Sequence, residues 1–416
     1  MKVAYVSPLP PERSGVADYS ALLVPALREH VELELVRRRS RALPRGVDVV
    51  LYHIGNSAAA HGWILELLRR RPGLVVLHDF SLHHLIAEMT LGKRDIAGYV
   101  RALEQEAGLA GRLLALGVAD GSAPPLWDTS PERFPLVGEV LVRAEGLIVH
   151  SRYVERRVRE RGYGGPLWRI PHPAWPAPGA RPADGLVAGR HPIVGCFGNL
   201  NPSKRVPQLL QAFASLRRAY PDALLVLAGA ADQGLELRAR LRALRLEEGR
   251  DVVHEGRVPE ARLWELLTSC DVCVALRHPT RGETSGMAIR AMSVGKPLVV
   301  SDAGWFAELP GAVAAKVPIG EREAETVAAF LARLAADEDL RARMGSAAHE
   351  YVTRVHRVER VADLYAAACE EAAGGTAVRE AVLAELAAAA CDVGLAADSA
   401  ELSGLARRAR EVGLGG

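Results

Sequence analysis

Between two apolar runs, 272–276 and 298–300, the chain reads Arg281-Gly282-Glu283-Thr284-Ser285-Gly286, then an apolar-periodic segment that ends at Gly295-Lys296-Pro297. The pattern is strand, glycine-bearing loop, helix, strand. Such a loop delivers backbone N–H groups and the positive end of a helix to one spot, where phosphate groups bind well. Arg277 lies just before the loop and Arg290 just after it. Lys204 and Arg205 make a second candidate anion site. They follow an apolar run and Gly198-Asn199 and precede a helical pattern. Gly15 makes a third, at the start of the helical pattern 16–29, where a glycine lets a phosphate approach the backbone closely. Two further strand ends carry His53 and His78-Asp79, with His83 close behind. These residue types orient hydroxyls or move protons. His78 and Asp79 are adjacent and point apart at a strand end, which argues against a metal there.

The elements that must position these groups recur along the chain. Apolar runs at 2–6, 31–36, 49–52, 74–77 and 146–150 alternate with helical patterns, and the same alternation restarts at 193–197, 224–228, 251–254, 272–276 and 298–301. Strands separated by helices imply parallel sheets, and parallel sheets place ligand sites beyond their strands' carboxyl ends. The Pro-, Gly- and Ala-rich stretch 173–191 is the clearest compositional break and sets a boundary between a domain 1–172 and a domain 192–345. A helical pattern follows at 346–372, then an Ala-rich tail, 373–416, with two amphipathic stretches, 378–390 and 399–412.

A chain of 416 residues is too long for one ordinary core. Its formal charge of +2 gives no general case for nucleic-acid binding. Charges interrupt every long apolar run, so no stretch of about 18 residues is fit to span a bilayer. The N-terminus begins as a buried strand without a signal-peptide pattern, and a cytoplasmic protein is expected. Arginine clusters at 37–39 with Arg41 and Arg45, at 69–71, and at 156–161 are candidate contacts for an anionic membrane at its inner face if they share one surface. Five cysteines suit reduced thiols, and the Cys270/Cys273 pair leads into an apolar strand as structural cysteines do.

The 271–310 stretch resembles the donor-binding segment of retaining family-4 glycosyltransferases. Ala291-Met292, Gly295, Pro297, Val299-Val300-Ser301 and Glu308 fall where that family has them, and the likeness extends over residues 1 to about 372. The resemblance implies the glycosyltransferase B fold, two doubly wound Rossmann-like α/β domains facing each other across a cleft, with the 346–372 helix returning to the first. It implies transfer of a sugar from a nucleotide diphosphate donor to a hydroxyl acceptor, with retention and with no metal or other cofactor, in glycan, polysaccharide or glycoconjugate synthesis. Gly15 and Lys204 then serve the diphosphate, and His78 and Glu283 the sugar; beside that resemblance, His53, Asp79 and His83 are read from their strand-end positions as groups for the acceptor or the sugar's orientation. Two positions depart from the pattern. Asn199 stands where the family has an arginine, and Arg290 stands where it has a second glutamate that grips the ribose. Glu283 matches the first glutamate only with a one-residue deletion, so the Gly-Glu-Thr-Ser-Gly loop reads as a variant donor site. Arg205 and Arg277 are candidates to replace the missing arginine. A sugar-nucleotide epimerase and a non-catalytic nucleotide-sugar-binding relative share these features, whereas a nicotinamide dehydrogenase is disfavoured because no G-x-G-x-x-G follows the first strand.

Overall fold

The computed structural model describes residues 1–40, 42–183 and 185–411. Arg41 and Val412 lie outside them. The chain divides into two compact units, one of residues 1–127, 133–171 and 359–416, the other of residues 128–132 and 172–358.

The first unit holds a six-stranded parallel sheet in the order β2-β1-β3-β4-β5-β6. The strands are β1 (Lys2–Val6), β2 (Glu32–Val36), β3 (Val49–Ile54), β4 (Gly73–Leu77), β5 (Ala144–Val149) and β6 (Leu167–Arg169). Every residue of β3 and β4 is buried, as expected of strands covered on both faces, and this is why their sequences are unbroken apolar runs. Edge strand β2 differs. Its Glu32 and Glu34 face outward, and the Lys2 ammonium sits 3.8 Å and 2.9 Å from them. One face of the sheet packs on Leu65, Leu85, Tyr99 and Leu103, the other on Tyr19, Leu23, Val361 and Tyr365. The helix Val358–Gly374 is therefore part of this unit's core.

Tyr19 and Tyr365 are both fully buried, and their hydroxyls lie 2.7 Å apart. Tyr19→Phe removes the partner of the Tyr365 hydroxyl, and leaving such a group unpaired costs about 1–3 kcal/mol. A urea titration of the variant is expected to show a lower midpoint with an unchanged slope.

The second unit repeats the architecture with β7 (Ile193–Phe197), β8 (Leu224–Ala228), β9 (Val252–His254), β10 (Val272–Ala275), β11 (Leu298–Ser301) and β12 (Ala314–Val317), in the order β12-β11-β10-β7-β8-β9. All of its pairings are parallel. The chain winds outward from β7 through β8 to β9, then crosses back to β10 and winds the other way. The order thus reverses between β7 and β10. In an open parallel sheet that reversal opens a crevice at the strands' carboxyl ends.

Two boundaries differ from the sequence reading. The 173–191 stretch packs with the second unit, where Trp175 and Ala183 are buried and the Ala183 N–H donates to Ser269 Oγ at 2.8 Å. The 346–372 stretch is two helices, Glu338–Val355 and Val358–Gly374, interrupted at His356, and only the second belongs to the first unit. The tail forms the helices Thr376–Asp392 and Ala400–Glu411.

Candidate functional site

Lys204, Arg277 and the 281–286 loop lie after β7 and β10, the two strands that flank the reversal. Past Phe197 the chain turns at Gly198 (φ +86°) into the short helix Pro202–Lys204. This turn carries Lys204 back so that Nζ donates to the Phe197 carbonyl. A Cβ on Gly198 would lie 2.7 Å from that Nζ, so the glycine makes room for the ammonium. Lys204 is part-exposed as a residue, but its ammonium is withdrawn beneath the strand end. Burial, reinforced by the nearby Arg277 charge, lowers its pKa to about 8.

Arg277 follows β10. Its N–H donates to Ser301 Oγ at 2.8 Å and its Nη1 to Ser203 Oγ at 3.1 Å, which ties it to β11 and to the Lys204 turn. Its Nε lies 2.9 Å from Glu283 Oε1 but off the hydrogen-bond line, so this contact is a charge pair. Glu283 also organises its own loop, since Oε2 accepts from the Arg281 N–H at 2.7 Å and from Thr280 Oγ1 at 3.2 Å. Thr280 Oγ1 in turn accepts from the Gly282 N–H.

The helix Gly286–Ser293 starts there. Ser285 caps it, accepting from the Ala288 N–H at 3.3 Å. The first-turn N–H groups of Gly286 and Met287 have no intrahelical acceptor. Lys204, Arg277, Ser285 and Met287 line one small cavity. Two cations and a helix N-terminus converge on it, and such an arrangement stabilises a bound anion, above all one whose charge grows during reaction. Thr284 Oγ1 is buried and without a partner among the described residues.

Other candidates are placed differently. Asn199 is exposed. Arg205 is committed to the buried Glu323, with Nε 2.9 Å from Oε2, so Arg277 is the second cation at the cavity. Arg290 is 4% exposed and its guanidinium lies 3.5 Å from the centre of the Trp175 ring. It also stands 3.7 Å from the Glu260 carboxylate. Trp175 carried no signal in the sequence because it sits in the Pro-rich stretch, far from the loop it covers. Glu308 is the last residue of the short helix Gly304–Glu308.

In the first unit Gly15 begins the helix Gly15–Leu27, which Ser14 caps by accepting from the Ala17 N–H. Nothing lies within 4 Å of where its Cβ would be, so packing does not require the glycine and the space over it is open. His53 is in β3 and His78 follows β4. Their Nδ1 and Nε2 atoms lie 3.0 Å apart, within a cluster that also contains Tyr5, Tyr19 and His150. His150, at the end of β5, belongs to the same run of strand ends as His53 and His78 and was not singled out in the sequence. Asp79 Oδ2 accepts from the Asn56 N–H at 2.8 Å. His83 is fully buried, with Nδ1 2.6 Å from the Phe134 carbonyl and Nε2 2.8 Å from the Tyr99 hydroxyl. Both of its nitrogens are therefore used inside the core.

The arginines of the helix Arg152–Glu160 are largely matched by neighbouring acids. Arg156 and Arg157 pair with Glu160, and Glu155 pairs with Arg169. Arg69 forks onto Glu139 at 2.7 and 2.8 Å. Arg69, Arg156 and Arg157 are thus ion-paired, while Arg159 donates to the Tyr163 and Gly165 carbonyls. Cys270 and Cys273 are buried free thiols. No helix among the described residues is long and apolar enough to cross a membrane.

Two doubly wound Rossmann-like units of this kind define the glycosyltransferase B fold. Residues 182–351 match the family model for glycosyl transferases group 1, a span that includes the whole Lys204, Arg277 and 281–286 constellation. Among solved structures the chain is similar to a sucrose-phosphate synthase from Thermosynechococcus elongatus, with a TM-score of 0.61 and 18% identity over 89% of this chain and 98% of that one. It is similar to the Anabaena protein HepE in complex with UDP and glucose, with a TM-score of 0.60 and 17% identity over 89% of this chain and 100% of that one. A third likeness is to AviGT4, a glycosyltransferase involved in avilamycin A biosynthesis, with a TM-score of 0.53 and 18% identity over 90% and 98% of the two chains. The sequence matches no curated protein.

Proposed function

We propose that the chain is a glycosyltransferase that moves a sugar from a nucleoside diphosphate donor to a hydroxyl acceptor, with retention and without a metal ion. The observation that carries this reading is the convergence of Lys204, Arg277 and the Gly286–Ser293 N-terminus on one cavity at the strand-order reversal, inside the segment that matches group 1 glycosyl transferases. Breaking the bond from the anomeric carbon to the β-phosphate oxygen leaves negative charge on the diphosphate. Lys204, Arg277 and the N–H groups of residues 286 and 287 are already in place to receive it. Fixed donors aimed at developing charge are commonly the largest contribution to such a step. Glu283 holds Arg277 and the loop in position. Support for uridine as the base comes from HepE, which has been solved with UDP-glucose. Retention and the sugar-facing roles of His78 and Glu283 rest on the family resemblance; acceptor or orienting roles for His53, Asp79 and His83 rest on their places at or just after strand ends, and cytoplasmic placement and any peripheral membrane contact rest on the sequence reading alone.

Glu283→Gln keeps the loop's shape but removes the charge that holds Arg277. Weakening one charge-assisted contact of this kind is expected to lower kcat/KM about 10-fold, with little change in Tm. Steady-state kinetics on the variant check this.

The function is tested by incubating the protein with UDP-glucose and a panel of other nucleotide sugars, with and without hydroxyl acceptors and EDTA. Nucleoside diphosphate release that requires acceptor, survives EDTA and yields a product with the donor's anomeric configuration is the expected result. An epimerised nucleotide sugar formed without acceptor would indicate an epimerase. Binding of donor with no turnover across the panel would indicate a non-catalytic binding protein, and binding of no nucleotide sugar would overturn the reading.

A further inference from the structure

We propose that Glu260 is the carboxylate that takes the ribose hydroxyls of the bound nucleotide, and that Arg290 positions it. This rests on the diphosphate reading above. A nucleoside diphosphate whose phosphates occupy the N-terminus of Gly286–Ser293 must place its ribose beside that first turn. The vicinal diol of a ribose is commonly held by an acidic side chain, which accepts from both hydroxyls. Arg290 cannot accept, so the acceptor must come from another element.

The neighbouring carboxylates of the second unit are nearly all committed. Glu283 is held by Arg277, Thr280 and the Arg281 N–H. Glu323 is buried against Arg205. Arg262 forks onto Glu255 at 2.9 and 2.6 Å and takes Glu265 at 3.0 Å. Glu260 is different. Its side chain is 62% exposed, and its one ion-pair contact among the described residues is Arg290 Nη2 at 3.7 Å, too long for a hydrogen bond. Its carboxylate oxygens therefore keep their lone pairs for a ligand.

Its position follows from a rigid chain of contacts. Residue 290 lies one turn, about 6 Å, along the helix from Gly286. Helical side chains lean over the turn N-terminal to their own Cα, so Arg290 lies over the turn that begins at Gly286. The Trp175 ring fixes it there, stacked 3.5 Å from the guanidinium and packed so closely on Gly286 that a Cβ at that residue would lie 3.2 Å from the indole. Glu260 is the first residue of the helix Glu260–Ser269, entered through Pro259, so its backbone is equally fixed. Arg290 thus holds a solvent-facing carboxylate one helical turn from the anion site, where it would favour ribonucleotides over their deoxy counterparts.

The test compares UDP with 2′,3′-dideoxy-UDP by calorimetry in the wild type, Glu260→Ala and Glu260→Gln. If UDP does not bind, the GDP and ADP pairs are used in turn. Charge-assisted bonds of this type support a wild-type preference for the ribonucleotide of about 10–100-fold. In Glu260→Ala the ratio should fall below about 3-fold on the same basis, with affinity for the dideoxy nucleotide unchanged. Glu260→Gln, which keeps a neutral acceptor, should fall between. Because the side chain is exposed, the variants are expected to fold, and an unchanged Tm confirms it. A wild-type preference that survives in Glu260→Ala, or no wild-type preference at all, overturns the role of Glu260 while leaving the diphosphate site standing. A wild type that binds none of the nucleoside diphosphates overturns both.

Discussion

Lys204→Met is expected to lower kcat/KM about 100-fold, close to 2.7 kcal/mol of transition-state stabilisation, while leaving the protein as stable as before or more so. The two effects have one cause. In the free protein the ammonium is withdrawn from water beneath the Phe197 carbonyl and shares its surroundings with Arg277, so the charged form is held at a cost. A diphosphate repays that cost by supplying the missing negative charge. Methionine fills similar volume and carries no charge to desolvate, which offsets the lost hydrogen bond to the Phe197 carbonyl, while the ligand loses a charged contact. The pH dependence follows. The pKa of Lys204 is lowered from 10.5 to about 8, so wild-type kcat/KM for the donor should fall as pH rises through about 8, and the variant should lack that limb. Between pH 8 and 10.5 the unfolded chain binds the proton and the native state does not. Wild-type stability therefore gains with rising pH across that window, and the variant's does not. Unchanged kinetics in the variant would remove Lys204 from the site.

The second large effect is acid lability that sets in before the carboxylates titrate. Burial lowers the pKa of His61, His83 and His356 to about 4, and pushes that of His53 well below its usual value with help from His150 and His61. These rings are neutral in the native state. Their remaining contacts are built for that form, as where His356 Nδ1–H donates to the His172 carbonyl at 2.6 Å. Below pH 6.5 the unfolded chain takes up protons at these positions and the folded chain does not, so the stabilisation present above pH 6.5 is lost as pH falls toward 4. From pH 6.5 to 5 each histidine contributes a loss of up to about 2 kcal/mol. Because three of them are in the first unit, a urea midpoint followed by tryptophan fluorescence should fall sharply between pH 7 and pH 5. Equal midpoints at the two pH values would show that the rings are solvated or already charged.

The inner strands of both sheets could be read directly from the chain because a parallel strand covered on both faces is an unbroken apolar run, as in β3, β4, β7 and β8. Strand β6 is only Leu-Trp-Arg and β12 is Ala-Ala-Lys-Val, both at sheet edges, and neither has a run to detect. The helix Ile96–Asp120 kinks at Ala107 and Gly108, where the backbone leaves the helical region, and no proline marks the break. That Lys204 and Glu283 sit on turns between a strand and a helix was legible because each follows an apolar run and glycine-bearing residues and precedes a helical pattern. Partner choice was not legible. That Arg277 lines the cavity while Arg205 turns away to Glu323 depends on a buried acid more than a hundred residues from Arg205 in the chain. That Arg290 stacks under Trp175 is decided by a segment whose composition reads as linker. Local patterns report periodicity and turns, whereas these pairings are set by tertiary contacts.

The central claim is that one diphosphate is held by Lys204, Arg277 and the first turn of Gly286–Ser293. A crystal structure of the protein with a bound nucleoside diphosphate tests it most directly. The account predicts a phosphate oxygen within about 3 Å of Lys204 Nζ and another within the same reach of the N–H groups of residues 286 and 287. A nucleotide bound with its phosphates away from both would contradict it.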